Sequence, residues 1–153
     1  MRIAEFLRAE GVISSLKAQT KHDVLVELAA ALARANPALS ADRLLDVLRE
    51  REKLGSTGIG EGVAIPHGKL PGLTDICAAL AVSKDGVEFD AIDGKKTHLF
   101  FALVAPEHSA GMHLKALARV SRLFKKASLR EQLIAASSTD ELCRLISEED
   151  AKA

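Results

Sequence analysis

The spacing of apolar residues in this chain switches between the period of a helix and the unbroken runs of buried strands. Val24, Leu25, Leu28, Ala31 and Leu32 fall on one helical stripe. Thr20 precedes them as an N-cap, Asp23 follows it as in a capping box, and Pro37 lies just past the end. Ser40 caps a second helix, whose apolar side carries Leu44, Leu45, Val47 and Leu48 and which Gly55 stops. Ile76 to Val82 and Leu99 to Val104 are apolar at almost every position, as in strands covered on both faces. Val12 to Leu16 and Val63-Ala64-Ile65 are shorter strand candidates. Lys84-Asp85-Gly86 and Asp93-Gly94 carry turn chemistry, and Pro106 closes the second long run. Helical spacing returns from Met112 to Phe124. Ser128 with Glu131, and Ser138 with Glu141, predict two capped helices. Ile3, Phe6 and Leu7 recur at helical spacing, and the acidic stretch from about 147 reads as a frayed tail. Strands apolar on both faces need helices on both sides, so the predicted fold class is an α/β sandwich, one domain over residues 1–153.

Composition narrows the function. The chain has 153 residues, 48% hydrophobic and 27% charged, which fits a soluble globular domain. Lys plus Arg equals Asp plus Glu at 21 each, which argues against a nucleic-acid partner. Five Phe and no Trp or Tyr supply little for base stacking. Cys77 and Cys143 stand far apart and read as small core residues rather than a disulfide or metal ligands. The first residues lack the apolar stretch of a signal peptide, and no run is long enough to span a bilayer. The expected location is the cytoplasm, without membrane insertion.

The candidate chemistry sits in one segment, Gly55-Ser56-Thr57-Gly58-Ile59-Gly60-Glu61-Gly62-Val63-Ala64-Ile65-Pro66-His67-Gly68. The pattern places His67 at the end of the Val63–Ile65 strand, with backbone packed close around it. Two readings are open on these residues: a nucleophilic imidazole, or a ring that merely ends a strand beside a glycine-rich turn. Gly58-x-Gly60-x-Gly62 precedes a strand, so it does not match a dinucleotide fingerprint, and no Gly-Lys-Ser/Thr makes a P-loop. His108 and His113 lack the spacing of a helical metal pair, so neither a metal nor another cofactor is expected. His22 reads as a surface residue and His98 as a structural one. Arg122, Lys125, Lys126 and Arg130 form a basic patch that reads as a solvated face or a site for an acidic partner.

Arg51-Glu52, the glycine-rich segment and His67-Gly68-Lys69-Leu70, in that order, resemble the signature of phosphotransferase-system enzyme IIA proteins of the fructose/mannitol type. Phe89-Asp90-Ala91-Ile92-Asp93-Gly94 and Phe100 to Pro106 are similar to the nitrogen-regulatory branch, and His113-Leu114-Lys115-Ala116-Leu117 resembles the family's second histidine element. The resemblance runs from about Ile3 to about Ile146. It implies helices on both faces of a mixed sheet of about five strands. It also implies that His67 accepts a phosphoryl group from an HPr-like carrier, as tele-phosphohistidine, and that target proteins respond to the phosphorylation state. In that family the residue matching His113 assists the phosphoryl group. Arg51 becomes the second stabilising candidate, since a guanidinium grips phosphoryl oxygens with two donors. Ser56 and Thr57 are secondary candidates at the rim. One nitrogen of His67 must be held by an acceptor, for which the carbonyls of Gly68 and Lys69 are the candidates.

Three rival readings remain. A sugar-specific enzyme IIA would pass the phosphoryl group to an enzyme IIB, and the lack of a IIB, IIC or HPr segment in this chain favours regulation over that. A binding module would never be phosphorylated, and a hydrolase would release phosphate over many turnovers.

Overall fold

The computed structural model describes residues 1–152. After a 3-10 turn at Ile3–Glu5 the elements run β1 (Leu7–Ile13), α1 (Lys21–Ala35), α2 (Ala41–Lys53), β2 (Gly58–Gly60), β3 (Val63–Ala64), β4 (His67–Leu70), β5 (Cys77–Val87), β6 (Thr97–Pro106), α3 (Ala110–Phe124), α4 (Ala127–Ala135) and α5 (Thr139–Ala151). The sheet is mixed, with strand order β1-β5-β6-β3-β2, and β4 pairs with the far end of β6. β5 and β6 are antiparallel; β1 on β5, and β3 and β4 on β6, are parallel. Among the described residues no helix is long and apolar enough to cross a membrane.

The two long apolar strands explain the three layers. Side chains alternate across a strand. Ala78, Leu80 and Val82 of β5, with Leu99, Phe101, Leu103 and Ala105 of β6, therefore pack against α3, α4 and α5. Ala79 and Ala81, with Phe100, Ala102 and Val104, pack against α1 and α2. The α/β sandwich predicted from those runs is the fold observed.

Several local expectations are corrected. Six strands replace about five, because the glycine-rich segment breaks into three short ones. The N-terminal helical spacing is a 3-10 turn followed by strand from Leu7. Exposed Arg8, Ala9 and Glu10 on an edge strand hide it from a hydrophobicity reading. Lys84-Asp85-Gly86 is a bulge inside β5, where Ser83 Oγ accepts the Gly86 N–H, rather than the end of a strand. Ser128 lies inside α4, whose N-cap is Lys126 without a side-chain cap. Thr20, Ser40 and Ser138 do cap α1, α2 and α5. The supposed frayed tail is helical to Ala151, because buried Asp150 accepts from the Ile3 N–H at 2.7 Å and from Arg119 Nε at 2.6 Å.

Candidate active site

Two bonds beyond the β2–β3 pairing tie Thr57 to His67. The Ile65 N–H donates to the Thr57 carbonyl at 3.0 Å. His67 Nδ1 then donates to the Ile65 carbonyl at 2.8 Å. A carbonyl only accepts, so Nδ1 carries the proton and Nε2 keeps its lone pair. The holding group is thus Ile65, not Gly68 or Lys69. His67 also begins β4 rather than ending the Val63–Ala64 strand. Pro66 separates the two strands, since it has no N–H to continue the ladder. Strand alternation sends His67 and Lys69 toward the α3 side and Gly68 and Leu70 toward α2. Gly68 must be glycine for α2 to pack, because a Cβ there would lie 2.3 Å from Val47 Cγ1.

His113 meets His67 from α3. The two ring centroids are 5.5 Å apart and the planes cross at 75°. His113 is buried, and its Nε2 has no hydrogen-bond partner. A buried ring nitrogen without a partner is costly, and here it lies beside the nucleophile candidate. His113 sits just past the free first-turn amides, since its own N–H donates to Ser109 O at 2.9 Å. Burial lowers the His67 pKa below the usual 6.5, opposed by the Ile65 bond and helped by Arg51. Burial, then the neighbouring His67 and Lys69, lower that of His113. Both rings are therefore neutral at pH 7.

Arg51 lies in the last turn of α2, where Nη1 donates to Gly55 O at 2.8 Å. The guanidinium has further donors, and its charge reaches His67. It lines a cleft of 590 Å³ with Val47, Leu54, Gly68 and Lys69. Leu54 on this rim is exposed.

The rim hydroxyls are engaged elsewhere. Ser56 Oγ donates to Phe89 O at 2.8 Å and accepts from the Gly58 N–H. Thr57 gives both its N–H and its hydroxyl to the Glu52 carboxylate. Sequence reasoning missed Glu52 as a site residue. A signal existed in its place beside Arg51, but a charged helix end reads as solvated. Its side chain is 6% exposed and pairs with Lys21 Nζ at 2.9 Å.

The Phe89–Gly94 loop braces the same segment. Besides the Ser56 bond, Ile92 N–H donates to Gly58 O, and Asp93 accepts from the Glu61 N–H at 3.0 Å. Gly58 is needed here, since its Cβ would lie 2.9 Å from Ala91 Cα. Asp93 thus has a structural role that the sequence alone did not reveal.

The remaining candidates lie apart. His98 Nδ1 donates to Ser83 O at 2.9 Å, a structural role as read from sequence. His108 is exposed and approaches Glu107. Cys77 and Cys143 are free thiols. The basic patch is partly neutralised: Lys126 pairs with Glu149 at 2.6 Å, and Arg130 approaches Glu61 at 3.6 Å.

Known proteins share this arrangement of sequence and fold. The family described as phosphoenolpyruvate-dependent sugar phosphotransferase system, EIIA 2, matches residues 5–149. A nitrogen regulatory protein of Bradyrhizobium diazoefficiens is 40% identical over 133 residues, covering 87% of this chain and 86% of that protein. The fructose-specific EIIABC component of the PTS system of Bacillus subtilis is 34% identical over 150 residues. That match takes in 98% of this chain, which spans 24% of the Bacillus protein. The crystal structure of nitrogen regulatory protein IIA-Ntr from Neisseria meningitidis superposes with a TM-score of 0.87 at 36% identity, covering 94% of this chain and 98% of that one.

Proposed function

The chain belongs to the EIIA 2 family of the phosphoenolpyruvate-dependent sugar phosphotransferase system, and on that premise we propose that it is a nitrogen-type phosphocarrier with His67 as its phosphoryl acceptor. The observation that carries the reading is the His67 ring itself: Nδ1–H is bonded to Ile65 O, and Nε2 keeps a lone pair beside a second, unpartnered histidine. In the proposed step Nε2 attacks the phosphorus of a phosphohistidine on an HPr-like carrier. The donor P–N bond breaks, its electron pair returns to the donor imidazole, and a P–Nε2 bond forms. The proton stays on Nδ1, hydrogen-bonded to the Ile65 carbonyl, throughout, giving the tele isomer. Because the transition state is loose, the protein contributes position and positive charge. Arg51 and His113 supply donors to the phosphoryl oxygens. The added charge then alters binding to regulated targets in the cytoplasm. The whole chain acts as one enzyme IIA domain.

Labelled phosphoenolpyruvate with enzyme I and HPr tests this. One equivalent of label, lost in His67→Ala, supports the carrier; no label on the wild type leaves a binding module, and continued phosphate release indicates a hydrolase. The Bacillus relative favours a second reading, since it is named fructose-specific. Onward passage of the label to an enzyme IIB and a sugar would establish that one.

A further inference from the structure

Glu52 is an odd residue to bury. In the same turn of α2, Glu50 is 72% exposed and simply pairs with Lys53, while the Glu52 side chain is 6% exposed. Its partner, Lys21, is the first residue of α1. Both placements oppose the helix dipoles, which favour anions at N-termini and cations at C-termini. Helix stability therefore does not explain the pair. A buried carboxylate needs full compensation. Glu52 gets it from the Lys21 ammonium at 2.9 Å and from the Thr57 N–H and hydroxyl. Lys21 is itself fixed by Asp90 at 3.3 Å and by the Phe89 ring, 4.9 Å from Nζ to centroid.

From Thr57 the contacts run on without a gap. The Thr57 carbonyl accepts the Ile65 N–H, and the Ile65 carbonyl accepts His67 Nδ1–H. We propose that Glu52 is a positioning residue for His67, acting through Thr57 and Ile65 to hold the ring in its Nδ1–H tautomer. The N–H and C=O of one residue belong to different peptide groups, so this relay transmits position rather than polarisation. If the Thr57 end comes loose, the Ile65 carbonyl is free to turn from the ring. Nδ1–H then loses its fixed acceptor, and the tautomer with the proton on Nε2, which has no lone pair to attack phosphorus, becomes populated. The inference rests on His67 being the acceptor only for its effect on phosphoryl uptake.

The test is imidazole ¹⁵N NMR of the unphosphorylated protein, beside the rate of phosphoryl uptake from phospho-HPr. The wild type is expected to show His67 as the Nδ1–H tautomer alone. Glu52→Ala should show both tautomers and uptake slowed about tenfold, chiefly in the rate at saturating donor. Glu52→Gln keeps an oxygen for the Thr57 N–H and should recover most of the single-tautomer signal. A single, unchanged tautomer in Glu52→Ala overturns the proposal, whatever happens to uptake. Should Glu52→Ala fail to fold, Glu52→Met, which fills the space but offers no oxygen to the Thr57 N–H, is read instead, and an unchanged tautomer there overturns it equally. If the wild type takes up no phosphoryl group, the carrier reading fails while the tautomer spectra still decide the relay.

Discussion

Two histidines stand at opposite ends of β6 and make the same bond. His98, near its start, donates Nδ1–H to the Ser83 carbonyl at 2.9 Å. His67, paired with Leu103 toward its end, donates Nδ1–H to Ile65 at 2.8 Å. A fixed tautomer is therefore common to both and does not distinguish them. The surroundings do. The His98 ring lies against the backbone of the β5 bulge, where a Cβ on Gly86 would come within 2.8 Å of it. Its bond serves to lock two strands. The His67 ring instead meets an unpartnered imidazole and the charge of Arg51, at the open edge of a strand with one partner. With Nδ1 held alike in both, the two rings differ in what lies beside them.

The sharpest way to break this contrast is to exchange the roles. His67→Ala should abolish phosphoryl labelling. Retained label at full stoichiometry in that variant would place the acceptor elsewhere. Next in size, His113→Ala should slow uptake about 100-fold, by removing a preorganised donor, with the fold intact by circular dichroism. A wild-type rate would remove His113 from the site. Arg51→Lys keeps the charge but loses the planar fork, and should slow uptake about tenfold in stopped-flow measurements.

The pH response sharpens the comparison further. Burial lowers the pKa of both His67 and His113 from the usual 6.5. Below pH 6.5 the unfolded chain therefore takes up protons that the native site refuses. The stabilising contribution is whole above pH 6.5 and shrinks as pH falls toward the folded values. Denaturant titrations at pH 7.5 and 5.5 should show that loss, and it should be smaller in the His67→Ala, His113→Ala double variant. The smallest effect belongs to His98→Ala, which should change uptake less than about twofold while lowering stability by about 1 kcal/mol for its lost hydrogen bond. A large fall in uptake with the stability intact would erase the distinction between the two rings.

Much of the architecture was legible because the local signals were strong. Thr20 and Ser40 cap the helices they were expected to cap. The runs at Ile76–Val82 and Leu99–Val104 gave the central strands and, through their two apolar faces, the three layers. Legibility failed where backbone pairing overrides side-chain character. Arg8-Ala9-Glu10 is carried in β1 between the Leu7–Ala78 and Val12–Leu80 pairs with β5, and Lys84-Asp85-Gly86 stays within β5 as a bulge. The site divides in the same way. His67, His113 and Arg51 stand out through their motifs, whereas Glu52 looks like any charged residue in Arg49-Glu50-Arg51-Glu52-Lys53 until its burial is seen.

The linear order of residues by itself determined the layers, the starts of α1, α2 and α5 and the family, because capping, periodicity and motif spacing act over a few neighbouring positions. Tertiary structure alone decided which carbonyl holds the His67 ring, that a buried Glu52 carboxylate paired with Lys21 stands behind it, and that Asp93 braces the glycine-rich loop. Those are contacts between segments up to tens of residues apart, fixed by how the strands and helices pack, and a one-dimensional pattern carries no distance between them.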